Sequence, residues 1–261
     1  MEKRELLDRA ALDEQERLLL GRVWDKYDQC RRRNIPVCTE FLSPQEQAAA
    51  QRLLHMLGAE DGYVFWGGYD GAERCQIHFL PDWQETPDYG TVRCLRCTFY
   101  EPGRLTHRDF LGSLMGLGLT REKIGDILVA EQSADVIVSS TVADHLLREW
   151  NAAGRTALHV AEIEASELNV PVQKTKVLRD TVSSLRLDSV LSVGFSTSRG
   201  RASEAVEAGR VQVNWADCQK PDRLLRQGDV ITVRGAGKCR LTEVGGATKK
   251  GRIFITVDRY L

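Results

Sequence analysis

Five pieces of sequence between positions 186 and 233 decide the fold of the C-terminal third of this chain. They are Arg186-Leu-Asp-Ser-Val-Leu191, Ser198-Arg199, Gly209-Arg-Val-Gln-Val-Asn214, Lys220-Pro221 and Gly228-Asp-Val-Ile-Thr-Val233. Apolar residues at helical spacing predict one helix over residues 187–193 and a second over 198–209. Alternating apolar residues predict strands at 210–214 and 230–233. The pieces therefore predict two helices followed by a small sheet.

Serine and glycine residues mark where the second helix begins and ends. Ser198 or Ser203 can cap its N-terminus, and Gly209 can supply the positive φ of the turn into the next strand. Further strand-like segments at 238–244 and 252–258 predict two more strands of the same sheet. We therefore expect a small α+β domain over residues 183–261, with a C-terminal strand extension.

The order and spacing of these motifs resemble the S-four RNA-binding domain, which is named for a small-subunit ribosomal protein. Helix N-termini and arginine side chains present hydrogen-bond donors to phosphate oxygens. The expected RNA-binding residues lie in the two helices and the turns beside them: Arg186, Ser198, Arg199, Arg201, Arg210, Asn214 and Lys220.

Two positions inside this motif have more than one interpretation. Asp188 is expected to be structural, either pairing with Arg186 or capping the helix. Asn214 is followed by Trp215, where a small residue is usual in the motif, so the tip of this turn is not determined. Trp215 could stack on a base or pack against the protein.

The distribution of charge also separates the C-terminal third from the rest. From Ser183 onward there are 14 Lys+Arg and 8 Asp+Glu, a net charge of +6, whereas the residues before it carry −7 and the whole chain −1. A basic domain on an acidic body suggests that this domain meets a polyanion. Ordinary variation of surface charge would explain the same numbers.

The N-terminal region, residues 1–73, is predicted to be mainly helical. Apolar spacing predicts helical structure over residues 5–27. Ser43, Pro44 and Glu46 predict a helix start, because they supply a cap, a first-turn proline and a capping-box acid. That helix should end near Gly58, and no chemistry is expected in this region.

The middle region, residues 74–165, is predicted to be an RNA-recognition-like (ferredoxin-like) α+β domain. The predicted order is strands at 75–80 and 92–99, a helix from 106 or 107 to 117, a hairpin of 127–130 and 135–139, a helix at 142–151 and a strand at 156–163. Such sheets often bind RNA on their open face, but many do not. RNA contact by this sheet therefore stays open at this point.

Three motifs ahead of the C-terminal domain carry a second resemblance. They are Gly67-Gly-Tyr-x-x-Ala-Glu-Arg74, Leu105-Thr-His-Arg-Asp-Phe-Leu-Gly112 and Gly118-Leu-Thr-Arg-Glu-Lys-Ile-Gly-Asp-Ile127. Over nearly the whole chain, the sequence resembles the bacterial YlmH family. The resemblance implies a helical region, an RNA-recognition-like domain and an S-four domain, in that order. It also implies binding to the large ribosomal subunit, rescue of stalled translation on subunits that carry peptidyl-tRNA, and a genetic link to cell division.

The leading hypothesis is therefore an RNA-binding protein without a catalytic residue, cofactor or metal, whose partners are rRNA, tRNA and the large ribosomal subunit. Arg108, Arg121 and Lys123 are secondary RNA-contact candidates. A cytoplasmic protein is expected, since the chain has neither a signal peptide nor a membrane-spanning apolar run. A monomer is also expected. One alternative is a pseudouridine synthase-like enzyme, which needs a catalytic Asp in an Arg-Leu-Asp context. Another is a scaffold for a division protein.

Two local patterns suggest chemistry that their surroundings do not support. His107-Arg108-Asp109 resembles a kinase loop but lacks a nucleotide-binding glycine loop, so Thr106 and Asp109 are better interpreted as a helix cap. Cys94 and Cys97 have no second cysteine pair, and residues three apart in a strand face opposite sides. The seven cysteines are expected to be reduced thiols.

Overall fold

A computed structural model describes residues 3–59, 61–100, 105–171, 174–248 and 251–261 of the chain. The chain divides into two compact units, Met1–Pro171 and Val172–Leu261. Both units mix helices with antiparallel sheets, which confirms the predicted α+β class. Among the described residues, no helix has the length and apolar character that crossing a membrane requires.

The elements of each unit are as follows. The first unit contains the helices α1 (Lys3–Ala10), α2 (Glu14–Arg33), α3 (Pro44–Met56), α4 (His107–Gly116) and α5 (Ser140–Glu149). Its strands are β1 (Val37–Cys38), β2 (Tyr63–Trp66), β3 (Gln76–Phe79), β4 (Val92–Thr98), β5 (Ile124–Val129), β6 (Ser133–Ser139), β7 (Ala152–Ala153), β8 (Thr156–Ala157) and β9 (His159–Ile163). The second unit contains α6 (Leu187–Gly194), α7 (Arg199–Glu207), β10 (Thr175–Val182), β11 (Val211–Val213), β12 (Ala216–Asp217), β13 (Val230–Val233), β14 (Gly237–Ala247) and β15 (Ile253–Tyr260).

The helices of the N-terminal region begin and end at polar caps. The helical segment predicted at residues 5–27 is divided between α1 and α2, because Asp13 caps α2 and its side chain accepts a hydrogen bond from the Glu16 N–H at 2.8 Å. The capping box predicted for α3 is confirmed: Glu46 N–H donates to Ser43 Oγ at 3.4 Å, and Ser43 N–H donates to Glu46 Oε2 at 2.6 Å. Local sequence alone therefore positions these helix starts.

One strand lies in a different sheet from the one that the sequence predicts. Strand β3, expected in the middle sheet, instead pairs with β1 and β2 in a three-stranded N-terminal sheet, so that assignment was wrong. Its Ile77 and Phe79 are buried in one cluster with Leu20 of α2 and Leu53 of α3. Alternating apolar residues predict that a strand exists but not which sheet it joins.

The middle sheet has the predicted RNA-recognition-like topology. Its four strands are all antiparallel in the order β5-β6-β4-β9, and α4 and α5 lie between strands along the chain. The helices cover one face of this sheet, where Leu95, Phe110, Val136 and Leu146 are fully buried. The predicted hairpin is confirmed as β5 and β6.

The opposite face of the middle sheet is covered by the chain itself. Cys94, Leu128 and Ile137 on this face are buried together with Phe41, and Tyr69 packs against them. The RNA contact that the sequence left open on this face is therefore not available at the centre of the sheet. Cys94 and Cys97 lie on opposite faces, as their spacing predicts.

A hydrogen-bond network around Asp126 fastens the covering loop to the sheet. Its carboxylate accepts hydrogen bonds from the Tyr69 hydroxyl at 2.8 Å, the Glu73 N–H at 2.7 Å and the Arg74 N–H at 3.0 Å. Burial and the adjacent Asp126 raise the pKa of Tyr69 above its usual value, so the hydroxyl remains a donor. The first and third YlmH-like motifs therefore meet in one structural contact.

The side chain of Arg74 adds further hydrogen bonds to this network. Its guanidinium donates to the carbonyl oxygens of Ile124 at 2.9 Å and of Phe41 and Arg121 at 3.2 Å. Burial lowers the pKa of Arg74. Arg74 therefore has a structural role in the fold. No contact to RNA is needed to explain why an arginine stands at this position.

Gly125 permits the close packing of Phe41 on the sheet, and a larger residue there should destabilise the first unit. A Cβ at Gly125 would lie 2.9 Å from Phe41 Cε1 and 3.2 Å from Ile137 Cβ. We expect Gly125→Ala to lower the free energy of unfolding by about 1–3 kcal/mol, measured by urea unfolding followed by tryptophan fluorescence. The control is Gly112→Ala in α4, where a Cβ meets nothing within 4 Å and stability should stay equal or rise. Equal stability of both variants would contradict the packing argument.

The second unit is built on a six-stranded antiparallel sheet in the order β10-β15-β14-β13-β11-β12. Helices α6 and α7 bury Leu187, Val190 and Val206 against one face of this sheet. Strand β10, which the sequence did not predict, pairs with β15 over its full length. Gly209 has φ 66° and turns the chain from α7 into β11, as expected.

Candidate nucleic-acid interface

The N-terminal ends of α6 and α7 meet at a buried carboxylate. Asp188 is 3% exposed and accepts hydrogen bonds from Arg186 Nε and Nη2 at 3.2 and 3.1 Å. It also accepts one from Arg199 Nε at 3.1 Å and one from the Ser189 hydroxyl at 3.2 Å. The predicted structural role of Asp188 is confirmed, and it extends to a second arginine.

The two arginines keep a large part of their surface in solvent. The side chains of Arg186 and Arg199 are 36% and 52% exposed, whereas that of Asp188 is 5% exposed. A guanidinium carries five N–H donors, so those not directed at Asp188 remain for another acceptor. The carboxylate therefore holds two cationic forks at fixed positions on the surface.

The ion triad gives Asp188 a shifted pKa and a testable pH dependence. Burial alone would raise the pKa of Asp188, but the hydrogen bonds from Arg186 and Arg199 outweigh it and hold the pKa below the usual value. A carboxylate with a depressed folded-state pKa stabilises the fold above its unfolded pKa of about 4, and this stabilisation is lost as the pH falls through the folded pKa.

We therefore expect Asp188→Asn to remove part of the acid sensitivity of the second unit. The variant should be less stable than wild type near pH 7, and the difference should shrink as the pH falls below about 4. Hydrogen exchange of α6 and α7 peptides across this pH range measures it. The exposed Glu204→Gln on α7 serves as the control. A difference that stays constant with pH would contradict the assignment.

The loop after β12 makes backbone hydrogen bonds to the start of α6, the helix that carries Asp188. Leu187 N–H donates to the Arg223 carbonyl at 2.8 Å and Asp188 N–H to the Pro221 carbonyl at 3.0 Å, so these helix N–H groups are occupied by the chain. The loop carries Lys220 and Arg223, both exposed, and its backbone at Arg223 contacts the start of α6. Arg223 was missed from the sequence, although its place in the basic Lys220-Pro221 turn is the signal that could have identified it.

The remaining predicted RNA-binding residues divide between the two ends of α7. Ser198 caps α7 by accepting the Arg201 N–H at 3.3 Å, and Arg201 is exposed next to Arg199. Arg210 is exposed but follows the far end of the helix, about 12 Å along its axis from Arg199. The structure thus joins Arg186 and Arg199 through Asp188, places Arg201 in the first turn of α7 and leaves Arg210 beyond the far end of that helix.

Asn214, which the sequence suggested as an RNA contact, makes hydrogen bonds within the protein through both atoms of its side-chain amide. Its Nδ2 donates to Asp229 at 2.8 Å, and its Oδ1 accepts the Val230 N–H at 2.9 Å. Asn214 and Trp215 both have positive φ, 50° and 61°, which suits a tight hairpin turn. Trp215 is half-buried. The side chain of Asn214 therefore fastens β11 to β13.

The three secondary candidates lie in the first unit and do not share a free basic patch. Arg108 is exposed in the first turn of α4. Arg121 donates to the carbonyl oxygens of Ile124 and Gly125, and burial with the adjacent Arg74 lowers its pKa to about 10. Lys123 pairs with Glu40. Of the three, Arg108 is the one whose charge faces solvent.

The His107-Arg108-Asp109 pattern is a helix start. Thr106 N–H and Oγ1 donate to Asp109 Oδ2 at 2.8 and 2.7 Å, which is the predicted capping arrangement. These hydrogen bonds lower the pKa of Asp109. Asp109 is therefore committed to the cap.

Comparison with known protein families agrees with the fold. We call Arg186, Arg199 and Arg201, at the starts of α6 and α7, the helix-pair site. Residues 15–82 match the description "YlmH, N-terminal", residues 101–167 match "Putative RNA-binding domain in YlmH", and residues 185–231 match "S4 domain". The last match covers Arg186, Arg199 and Arg201.

Two relatives and one solved structure extend these matches. A Bacillus subtilis protein named "Ribosome-associated protein quality control protein P2" is 36% identical over 224 residues, covering 85% of this chain and 86% of the relative. "Small ribosomal subunit protein uS4" of Solibacter usitatus is 45% identical over 58 residues, 22% of this chain and 28% of that protein. The structure "Cell division protein ylmH from Streptococcus pneumoniae" aligns with a TM-score of 0.51 and 15% identity, covering 62% of this chain and 98% of that one, so it supports the fold alone. The family matches and the Bacillus relative place this chain in the YlmH family, with an S4 domain at its C-terminus.

Proposed function

We propose that this protein binds structured RNA on the ribosome, through the helix pair of its second unit, in ribosome-associated quality control. The observation that carries the proposal is the triad in which buried Asp188 holds Arg186 and Arg199 with their outer surfaces in solvent. The name of the Bacillus relative supports the ribosomal setting. Action on ribosomes would take place in the cytoplasm.

The triad suits the backbone of folded RNA. Guanidinium groups match phosphate oxygens with paired hydrogen bonds, and a fixed fork loses less entropy on binding than a mobile lysine. Arg201 on α7 and Lys220 and Arg223 on the adjoining loop are exposed cations, and Asp222 is the carboxylate of that loop. Phosphate contacts of this kind position a protein on an RNA shape and make its affinity depend steeply on salt.

We propose further that the target lies on the large ribosomal subunit or on the tRNA that it carries, and that the protein acts as a monomer without a cofactor or catalytic step. The pseudouridine synthase alternative needs an Asp that faces a substrate base. The one Arg-Leu-Asp tripeptide here contains Asp188, whose carboxylate is buried and engaged by two arginines. This position favours binding over catalysis.

Ultraviolet crosslinking in cells, followed by sequencing of the bound RNA, tests this function. We expect crosslinks in large-subunit rRNA and tRNA, and co-sedimentation with large subunits that falls sharply between about 50 and 200 mM salt. Crosslinks confined to mRNA or absent from ribosomal RNA would overturn the proposal. Capture of a division protein without RNA would favour the scaffold alternative.

A further inference from the structure

The second unit has another exposed surface on the side of its sheet away from α6 and α7. Ile255 and Val257 of β15 are buried against the helices, so side-chain alternation places Phe254, Thr256 and Tyr260 on the opposite side. We call this side the outer sheet face. It is formed by alternate residues of β10, β14 and β15: Thr175, Val177, Arg179, Thr181, Lys238, Arg240, Glu243, Phe254, Thr256, Asp258 and Tyr260.

An exposed aromatic ring lies at one end of this face. Phe254 is 53% exposed although it sits in the middle of a three-stranded array, next to Thr181 of β10. On its other side is Gly245, where a Cβ would lie 3.2 Å from Phe254 Cβ. The glycine leaves that flank of the phenylalanine without a neighbouring side chain. A ring exposed in this way is accessible for stacking.

A second aromatic ring lies farther along the same strand. Tyr260 is six residues from Phe254, about 20 Å along the strand, and Lys238 lies over its ring at 4.8 Å from the centroid. Val177, 52% exposed, lies between the two rings on the neighbouring strand. The face thus offers a path with an aromatic group at each end and with Thr256, Asp258 and Val177 between them.

Cationic side chains border this path. Arg179 and Arg240 are exposed on the strands on either side of β15. Arg252 lies before Phe254 and donates to the Thr181 hydroxyl at 2.9 Å. The carboxylates described on the face are Glu243, which accepts the Thr256 hydroxyl at 3.1 Å, and Asp258, which lies opposite Arg240. Cations therefore outnumber carboxylates along the edges of the path.

We propose that the outer sheet face binds a short stretch of unpaired RNA, a second RNA site distinct from the helix-pair site. Bases stack on Phe254 and Tyr260, while Arg179, Arg240 and Arg252 contact the phosphates. Exposed aromatic rings interleaved with cations on an antiparallel sheet are the groups that unpaired nucleic acid requires, since bases supply π-faces and each phosphate a negative charge. The inference rests on the proposed function in one respect, that RNA is the ligand.

Fluorescence anisotropy with the full-length protein and two labelled probes tests this site. One probe is a short oligouridine, which forms no stems, and the other is an RNA hairpin. Phe254→Ala should weaken oligouridine binding about tenfold and leave hairpin binding within about twofold. Phe254→Tyr should bind oligouridine as wild type does. Phe254→Leu, which keeps apolar bulk but lacks a π-face, should behave as the alanine variant does.

Arg201→Glu is expected to show the opposite pattern. It should weaken binding of the hairpin and leave binding of oligouridine close to that of wild type. Thermal unfolding verifies that each Phe254 variant is folded, which the exposure of the ring favours. Oligouridine binding that is absent in wild type, unchanged in Phe254→Ala or restored by Phe254→Leu would overturn the outer-face site. Hairpin binding unaffected by Arg201→Glu would instead count against the helix-pair site, so the two failures are distinguishable.

Discussion

Reversing the charge of both Arg199 and Arg201 is expected to weaken ribosome binding by about 10- to 100-fold at physiological salt. The two residues lie in the first turn of α7, and Asp188 holds the Arg199 side chain in place. Each phosphate contact that is lost removes one released counterion, so the slope of log affinity against log salt should become shallower by about two. Sedimentation with purified large subunits at several salt concentrations measures both effects.

Two further variants separate binding from folding in this experiment. Arg199→Glu brings a second carboxylate toward Asp188, so Arg201→Glu alone, which leaves the triad intact, should show part of the loss in a fully folded protein. Arg32→Glu with Arg33→Glu makes the same change of net charge at the exposed end of α2. If the α2 pair weakens sedimentation as much as the α7 pair, the binding is a general charge effect and the site assignment fails.

Replacing Asp126 with alanine is expected to cause the largest loss of stability in the first unit, about 2–5 kcal/mol. The change leaves the Tyr69 hydroxyl and the N–H groups of Glu73 and Arg74 without the acceptor that they use in the fold. Because this network fastens the loop over Phe41 and Ile137, its loss should also expose that face of the middle sheet. Urea unfolding followed by tryptophan fluorescence measures the stability.

Hydrogen exchange locates the effect of this variant. Protection should fall in peptides that span β3, β5 and β6 and stay unchanged in peptides of α6 and α7. The matched control is Asp70→Ala, which removes an exposed carboxylate from the same loop and should change stability by less than about 0.5 kcal/mol. A small effect of Asp126→Ala, comparable to the control, would mean that water replaces the carboxylate and that the network is not structural.

Patterns with a local cause were predictable from the sequence. The caps at Ser43 and Thr106, the glycine turn at Gly209 and the hairpin of β5 and β6 depend on neighbours within a few residues. The role of Asp188 was also partly predictable, because Arg186 is two residues away. Its second partner, Arg199, is eleven residues away and depends on how two helices pack.

The misassigned elements depend on distant contacts. The sequence identified β3 as a strand but not its sheet, and it did not predict β10, a mostly exposed strand at the edge whose pairing with β15 stabilises it. Motif arginines look alike in a sequence whether they face solvent or not. Arg121 was a candidate for RNA contact, yet the fold directs its guanidinium to backbone carbonyls, while Arg223 became a candidate through the loop that carries it.

By itself the sequence determined the α+β class, the helix and strand starts, the S-four motif and the family resemblance, since these follow from residue types at short, fixed spacings. Only the tertiary structure decided which cations share a surface, that Asn214 and Asp126 serve the fold, and that the middle sheet is covered by Phe41 and Tyr69. It also revealed the exposed ring of Phe254 on the outer sheet face. The physical reason is that burial and pairing depend on contacts between residues far apart in the chain, which local spacing does not specify.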